Sequence, residues 1–421
     1  MSRSTSTHSL EDMTSIASTS SAPDTPTDPL DGRTILHNAR AAAPALRDEA
    51  EDNERRRRLT PRAVEVLRST GVFRMPMPRA WGGPELDICT QVEILEELAA
   101  ADGSAGWCAM IGSDGGYYTA ALDDAVGREL YPDLDAVTAG WIAPVGTLQR
   151  VPGGYQLEGR WQFGSGCTHA DVIIGGAIVV DDDGPVPTAE GRPEMRVAVL
   201  AADRFEILDT WHTTGLAGSG SHDYRIADAF VPAEQTFRFR DLRERRRDGA
   251  LYAWPGMFFA NFPAVALGIA RAALEVAERL LVDKVLMPEM RPARDDRRVC
   301  AGIAEAHAMV GASRSYVFDT LGDFWSTLEA DAAPSPRQRA RLRGLHSYAL
   351  RSCRDAVGTL ADVVGSASIH RSCPIERHLR DLTTIGHHLL AQTRSMETAG
   401  ALWLGAERVL DENPLHAEGV L

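Results

Sequence analysis

Six cysteines in 421 residues, none spaced C-x-x-C, supply neither a disulfide framework nor a zinc site. Cys89, Cys108, Cys167, Cys300, Cys353 and Cys373 are scattered and read as reduced thiols, so a cytoplasmic protein is expected. Basic residues are in the minority: 44 Lys and Arg stand against 59 Asp and Glu, a net charge of −15. So acidic a chain is a poor partner for nucleic acid, which is bound through a net basic surface, and for an anionic membrane surface. No stretch approaches the roughly 20 apolar residues of a transmembrane helix, so no membrane partner is expected. The first 31 residues lack the apolar core of a secretory signal and are rich in Ser, Thr and Pro; residues 1–31 read as a disordered tail. No G-x-G-x-x-G follows a strand-like run, which leaves a Rossmann dinucleotide site unsupported. The histidines, among them His169, His212 and His222, are too dispersed for a metal site.

What is present falls into three zones after the tail, in keeping with a length too great for one compact domain. Residues 32–138 have helical character. Thr60-Pro61 is a helix start, Ala63, Val64 and Leu67 share a face, and Gly71 is a stop. A second helix is expected from near Thr90, with Val92, Leu95, Leu98 and Ala99 at helical spacing. Residues 139–240 change to short β-branched runs, 172–174, 177–180 and 196–200, bounded by Gly, Pro and Asp, with a turn at Gly153-Gly154. Residues 241–421 open on a charge-dense linker, 241–248, and return to long helical segments: 264–281, 300–328, 336–366 and 374–407. Helices, then strands, then long helices describe an α+β, mainly α protein with segregated layers rather than alternating βαβ units.

Several segments carry chemical meaning together. "LRSTGVFRMPMPRAWGGPELD" (Leu67 to Asp87) leads into "EILEELAAADGSAGW", which ends at Trp107. "GRWQFGSGCTHAD" (Gly159 to Asp171), "DTWHTTGLAGSGSHDYRIADAFVP" (Asp209 to Pro232), "LGIARAALE" (Leu267 to Glu275) and "IERHLRD" (Ile375 to Asp381) follow in that order. From the residues alone, Trp161, Phe163 and Trp211 read equally well as strand core, and Gly218, Gly220 and Ser221 as a hairpin turn. Taken together, in order and spacing, the segments resemble the acyl-CoA dehydrogenase-like flavoprotein superfamily. That resemblance implies an N-terminal helical domain, a central β-barrel-like domain and a C-terminal four-helix bundle. It also implies flavin contacts at Trp141, Phe163, Ser165, Gly166, Trp211, Ser219 (a Thr in the family) and Ser221. Glycines there let the backbone approach a ring edge, hydroxyls satisfy ring and phosphate atoms, and an aromatic covers the flat apolar face.

The branch within that superfamily turns on the segment after Arg380-Asp381. The dehydrogenases' catalytic Glu would fall at or near Leu389, and a leucine cannot accept a proton. Beside it stands His388, at the spacing of a histidine in oxygenase components similar to p-hydroxyphenylacetate hydroxylase and dibenzothiophene monooxygenase. The resemblance implies a two-component flavin-dependent monooxygenase. It would take reduced FMN or FAD from a separate NAD(P)H:flavin reductase and use O2, through a C4a-hydroperoxyflavin, to hydroxylate a small aromatic or natural-product substrate. His388 would protonate or hydrogen-bond the reactive oxygen, or deprotonate the substrate, and Ser165 would stabilise that oxygen by hydrogen bonding. A homotetramer is implied as well. The alternatives are a dehydrogenase with a relocated base and a catalytically silent flavoprotein subunit. Two expectations run against the family pattern. A histidine usual some eight residues after Trp107 is absent, Asp114 and Gly115 standing in that neighbourhood, which speaks against a simple phenol hydroxylase; Trp107 and Asp114 are candidate substrate contacts, Asp114 as a polar contact for a basic or amine substrate or else a plain loop residue. And on the helical stripe Ile375, Leu379, Leu382, Ile385, Leu389, both His387 and His388 fall off the apolar face, which by itself would put them in solvent.

Overall fold

A computed structural model of the chain describes residues 30–238, 247–406 and 408. Most of the expected tail and of the 241–248 linker lies outside them. At the near edge of the tail Asp31 is already structural: its carboxylate accepts from Thr34 N at 2.7 Å and caps α1 (Gly32–Arg56). The Thr60-Pro61 signal opens α2 (Pro61–Thr70), Thr60 Oγ1 accepting from Ala63 N, and Gly71 ends it at φ +81°. α3 (Ile88–Ala101) starts two residues before the expected Thr90, because the Asp87 carboxylate supplies the cap by accepting from Thr90 N. α4 (Gly103–Gly112), α5 (Gly115–Thr119) and α6 (Asp124–Leu130) complete this helical layer.

The middle layer is one sheet of eight strands: β1 (Thr138–Val151), β2 (Gly154–Gly164), β3 (Val172–Asp181), β4 (Gly184–Pro185), β5 (Met195–Ala201), β6 (Glu206–Leu208), β7 (His222–Pro232) and β8 (Thr236–Phe237). Its order is β6-β7-β2-β1-β3-β5-β8, with β4 paired to β3; β1 and β3 run parallel and the other pairs antiparallel. The two runs read separately at 172–174 and 177–180 are a single strand, β3. Gly175 and Gly176 hold it extended where a side chain has no room: Gly175 lies against the Trp161 ring and Gly176 against the Ile142 carbonyl oxygen. Trp161 is thus core, fully buried and stacked on Tyr224 with centroids 5.3 Å apart. Tyr224 Oη donates to Ile174 O and accepts from Trp141 N, at 2.6 and 2.9 Å, pinning β7 to β3 and β1. Opposite β3 the first strand bulges. Trp141 pairs with Gly175 and Gly146 with Ala177, so four residues of β1 stand between these pairs where β3 has one.

The C-terminal layer is built from α7 (Pro263–Asp283), α8 (Arg297–Glu329), α9 (Pro336–Val364), α10 (Pro374–Ile385) and α11 (Thr393–Leu404). The helix Pro255–Asp283 is long and apolar enough to cross a membrane by length and composition, which corrects the expectation that no stretch approaches that measure. Of its most apolar 18-residue window 89% is buried inside the protein, and α7 packs against α3 and α9. A second correction concerns 374–407. The segment is two helices, because α10 ends at Gly386 and the chain extends at His388 (φ −65°, ψ 145°) before a short 3-10 turn.

The three layers meet at a buried carboxyl. Asp381 on α10 accepts from Leu216 N, in the loop before β7, at 2.6 Å. Asp102, the N-cap of α4, lies within electrostatic reach and accepts from Asn53 Nδ2 on α1 at 2.9 Å. Burial raises the Asp381 pKa to about 7; the Leu216 hydrogen bond opposes this and the Asp102 charge adds to it.

Candidate active site

On the outer rim of the sheet three aromatic side chains form a row. Trp141 meets Phe163 edge-on at 5.7 Å, and Phe163 meets Trp211 edge-on at 6.3 Å. Trp141 and Trp211 are half-buried, and Phe163 is 53% exposed. Phe163 is also held at φ +60°, a backbone region that bulky side chains avoid. Strain and exposure together at one apolar ring mark a surface shaped for a partner rather than for the core. The residues fit a flavin on this ground: an uncovered aromatic row suits a flat, partly apolar ring system. Gly166, at φ +75°, bends the backbone beside it.

Behind the row runs a chain of hydroxyls. Trp107 Nε1 donates to Ser165 Oγ at 2.9 Å; Ser165 and Ser221 hydroxyls are 2.8 Å apart, and those of Ser221 and Ser219 are 2.7 Å apart. All four residues are buried. Ser219 is fully so, and its hydroxyl faces Ser221 rather than open space. Trp107, a candidate substrate contact, stands behind the site. Its ring is edge-on to His388 and to Phe262, at 5.5 and 5.9 Å, and its N–H is taken by Ser165.

Next to the aromatic row lies a cavity of about 300 Å³ where all three layers contribute walls. The β1 bulge lends Ile142, Ala143 and Pro144; the N-terminal helices lend Asp114; the C-terminal layer lends Phe262 and His388. The helical wheel put His387 and His388 together in solvent, but the break at Gly386 separates them. His387 is exposed, whereas His388 is half-buried, walls the cavity and stacks on Phe262 at 4.9 Å. Burial pushes its pKa down to about 4, and the nearby Arg343 guanidinium adds in the same direction. The ring is therefore neutral at pH 7. Its Nδ1 accepts from Leu390 N at 3.3 Å, so the proton sits on Nε2 and the ring offers a donor. Leu389, at the position of a dehydrogenase base, is 39% exposed and lines the same cavity.

Asp114 is buried, and burial alone pushes its carboxyl well above the usual range. It is the one acidic side chain among the described residues lining the cavity.

Sequence reasoning missed Asn261, Phe262, Arg343 and Arg394, which also line it. The run "GMFFANFP" ahead of α7 was the available signal for the first two. Arg343 sits in "RQRARLRG", where a buried arginine cannot be told from its exposed neighbours.

Residues 33–123 match the family described as Acyl-CoA dehydrogenase, N-terminal domain, and residues 260–393 that described as Acyl-CoA dehydrogenase, C-terminal domain. The chain is similar to the indole-3-acetate monooxygenase of Pseudomonas putida, with 30% identity over 372 residues, 86% of this chain and 92% of that protein. It is likewise 30% identical over 395 residues to the FADH(2)-dependent resorcinol hydroxylase, oxygenase component, of Rhizobium sp. (strain MTP-10005), covering 89% and 94%. The crystal structure of the HsaA monooxygenase from M. tuberculosis superposes with a TM-score of 0.80 at 25% identity, over 89% of this chain and 98% of that one.

Proposed function

The chain belongs to the acyl-CoA dehydrogenase family, and we propose that it acts as the oxygenase component of a two-component flavin-dependent monooxygenase hydroxylating a small aromatic substrate. The observation that carries this reading is the pairing at the cavity of a neutral histidine donor, His388, with Leu389 where a dehydrogenase needs its base. Asp114, the one carboxyl lining the cavity among the described residues, is set well above the usual carboxylate range by burial, which works against its carrying the charge of a ready base. The activities carried in the names of the relatives, indole-3-acetate monooxygenase and resorcinol hydroxylase, support the same class.

Trp141, Phe163 and Trp211 would flank the flavin ring, with Ser165, Gly166 and the 219–221 loop at its edge. Reduced flavin held there would supply the two electrons needed to reduce O2 so that one oxygen atom could go to the substrate and the other to water. His388 Nε2–H donates toward oxygen held in the cavity and stabilises negative charge there. Trp107 and Phe262 fix the plane of that imidazole, and the Leu390 N–H fixes its tautomer. Ser165 is a positioning residue, its hydroxyl oriented by Trp107 and Ser221. The apolar walls exclude water from the reacting centre.

Reduced flavin would come from a separate NAD(P)H-dependent reductase. The assembly we propose is a homotetramer packed through the C-terminal layer, where Met287, Met290, Ile369, Trp403 and Leu404 are exposed apolar side chains. Light scattering should return the mass of four chains.

The decisive assay supplies reduced FMN or FAD, O2 and a set of phenols and indoles. Hydroxylated product is expected. Reduction of bound flavin by an acyl thioester, with no oxygenated product from any aromatic, would overturn the reading.

A further inference from the structure

Arg343 is out of place for an arginine. It lies on α9 with 5% of its surface exposed, lines the cavity beside His388, and has no carboxylate or hydrogen-bond partner among the described residues. Its Nε is buried without an acceptor. Burial lowers its pKa only to about 10, so the guanidinium stays charged at neutral pH. A buried charge left unpaired is costly unless something arrives to pair it. Asn261, 2% exposed at the same cavity, has a buried Nδ2 with no acceptor either. The other two arginines lining the cavity differ. Arg196 is satisfied by Glu194 and Thr236, and Arg394 is exposed at the rim. A cation without a partner thus lines a cavity with mostly apolar walls, whose single acidic side chain among the described residues, Asp114, has its pKa raised by burial.

We infer that Arg343, with Asn261 lining the same cavity, receives a carboxylate carried by the substrate, so that the substrates of this site are small aromatic acids. The inference rests on the monooxygenase reading for the aromatic part of the ligand and adds the anionic group. A planar guanidinium forks onto a carboxylate through two parallel N–H donors, which fixes orientation as well as affinity. Arg394 at the rim adds attraction for an anion on its way in. A volume of about 300 Å³ lies at the small end of ligand pockets, which suits one or two rings with a short acidic arm.

The test compares acids with their uncharged amides: indole-3-acetate against indole-3-acetamide, and 4-hydroxyphenylacetate against its amide. Binding is measured by calorimetry and by thermal shift, with and without reduced flavin, on wild type, Arg343→Met and Arg343→Lys. In wild type the acids should bind at least tenfold more tightly than the amides and raise the melting temperature. Arg343→Met should abolish that preference, keep its affinity for reduced flavin and melt no lower than wild type, since an unpaired buried charge has been removed. Arg343→Lys should keep part of the preference. Equal binding of acid and amide by wild type overturns the inference, as does a preference that survives Arg343→Met. It also fails if Arg343→Met weakens reduced-flavin binding instead, which would make Arg343 a flavin contact. Should neither acid nor amide bind, the inference fails, and reduced-flavin binding in the same samples tells whether the monooxygenase reading fails with it.

Discussion

The Nδ1 of His388 is committed to the Leu390 N–H, and that one hydrogen bond turns a residue with two possible roles into a donor. Replacing it by Ala should lower product formed per reduced flavin by about a hundredfold, the scale of a lost proton-handling group. Oxygen consumption should persist, diverted to hydrogen peroxide; an unchanged product yield would remove His388 from the mechanism. The pH response separates this site from an exposed histidine. With a pKa lowered to about 4, His388 is neutral above that value and gains a proton as pH falls through it. Product yield should therefore hold level from about pH 8 to 5 and fall only near 4, whereas a solvent histidine would titrate near 6.5. At this scale the sequence made His388, Ser165 and Asp114 visible as chemical types. It did not show what they face. Trp107 reads as a substrate contact until its N–H is seen to end on Ser165, and Arg343 carries no local mark because its burial comes from elements far away in the chain.

Helix starts and strand glycines follow local rules, and the structure places Asp31, Thr60, Asp87 and Ser335 as N-caps by side-chain acceptance. The break between α10 and α11 was not legible, because Gly386 keeps a helical φ of −58° and the apolar spacing runs on past it. The turn instead shows itself in the structure, where His388 Nδ1 accepts from Leu390 N and residues 389–391 pack against α9. Gly176 shows how an element reaches the site. A Cβ there would strike the Ile142 and Ala143 carbonyl oxygens, the wall of the cavity. Gly176→Ala should cost about 1–3 kcal/mol by overpacking, read by urea denaturation, and should weaken aromatic ligand binding in the same variant. Loss of stability with unaltered binding would show that the bulge gives way without moving the cavity.

Across the whole molecule, the order of helices, sheet and helices could be read from composition, but the point where they join could not. Asn53, Asp102, Leu216 and Asp381 come from widely separated segments, and no local pattern links them. Their junction carries a pH signature. The Asp381 pKa is raised to about 7 in the folded state, against about 3.9 in an unfolded chain. Between those values the native state holds a proton that the unfolded state has released, so this group's contribution to stability declines as pH rises from about 4 to 7. Asp381→Asn keeps an oxygen for Leu216 N and cannot ionise. Its stability relative to wild type should climb over that interval, by up to ~1.4 kcal/mol per pH unit, and level off above it. Melts at pH 4, 5.5, 7 and 8 check this, and a difference independent of pH would mean that Asp381 is ionised throughout.

The extra residues of β1 between Trp141 and Gly146 give the sheet slack. Its pairings at Gly175 and Ala177 hold on either side of these four residues, which take no partner on β3. The wall they form is therefore not tied by strand pairing to β3, while the flanking residues keep their register. A fold fixed in its hydrogen bonding is left free, at this one stretch, to accommodate rings of different size.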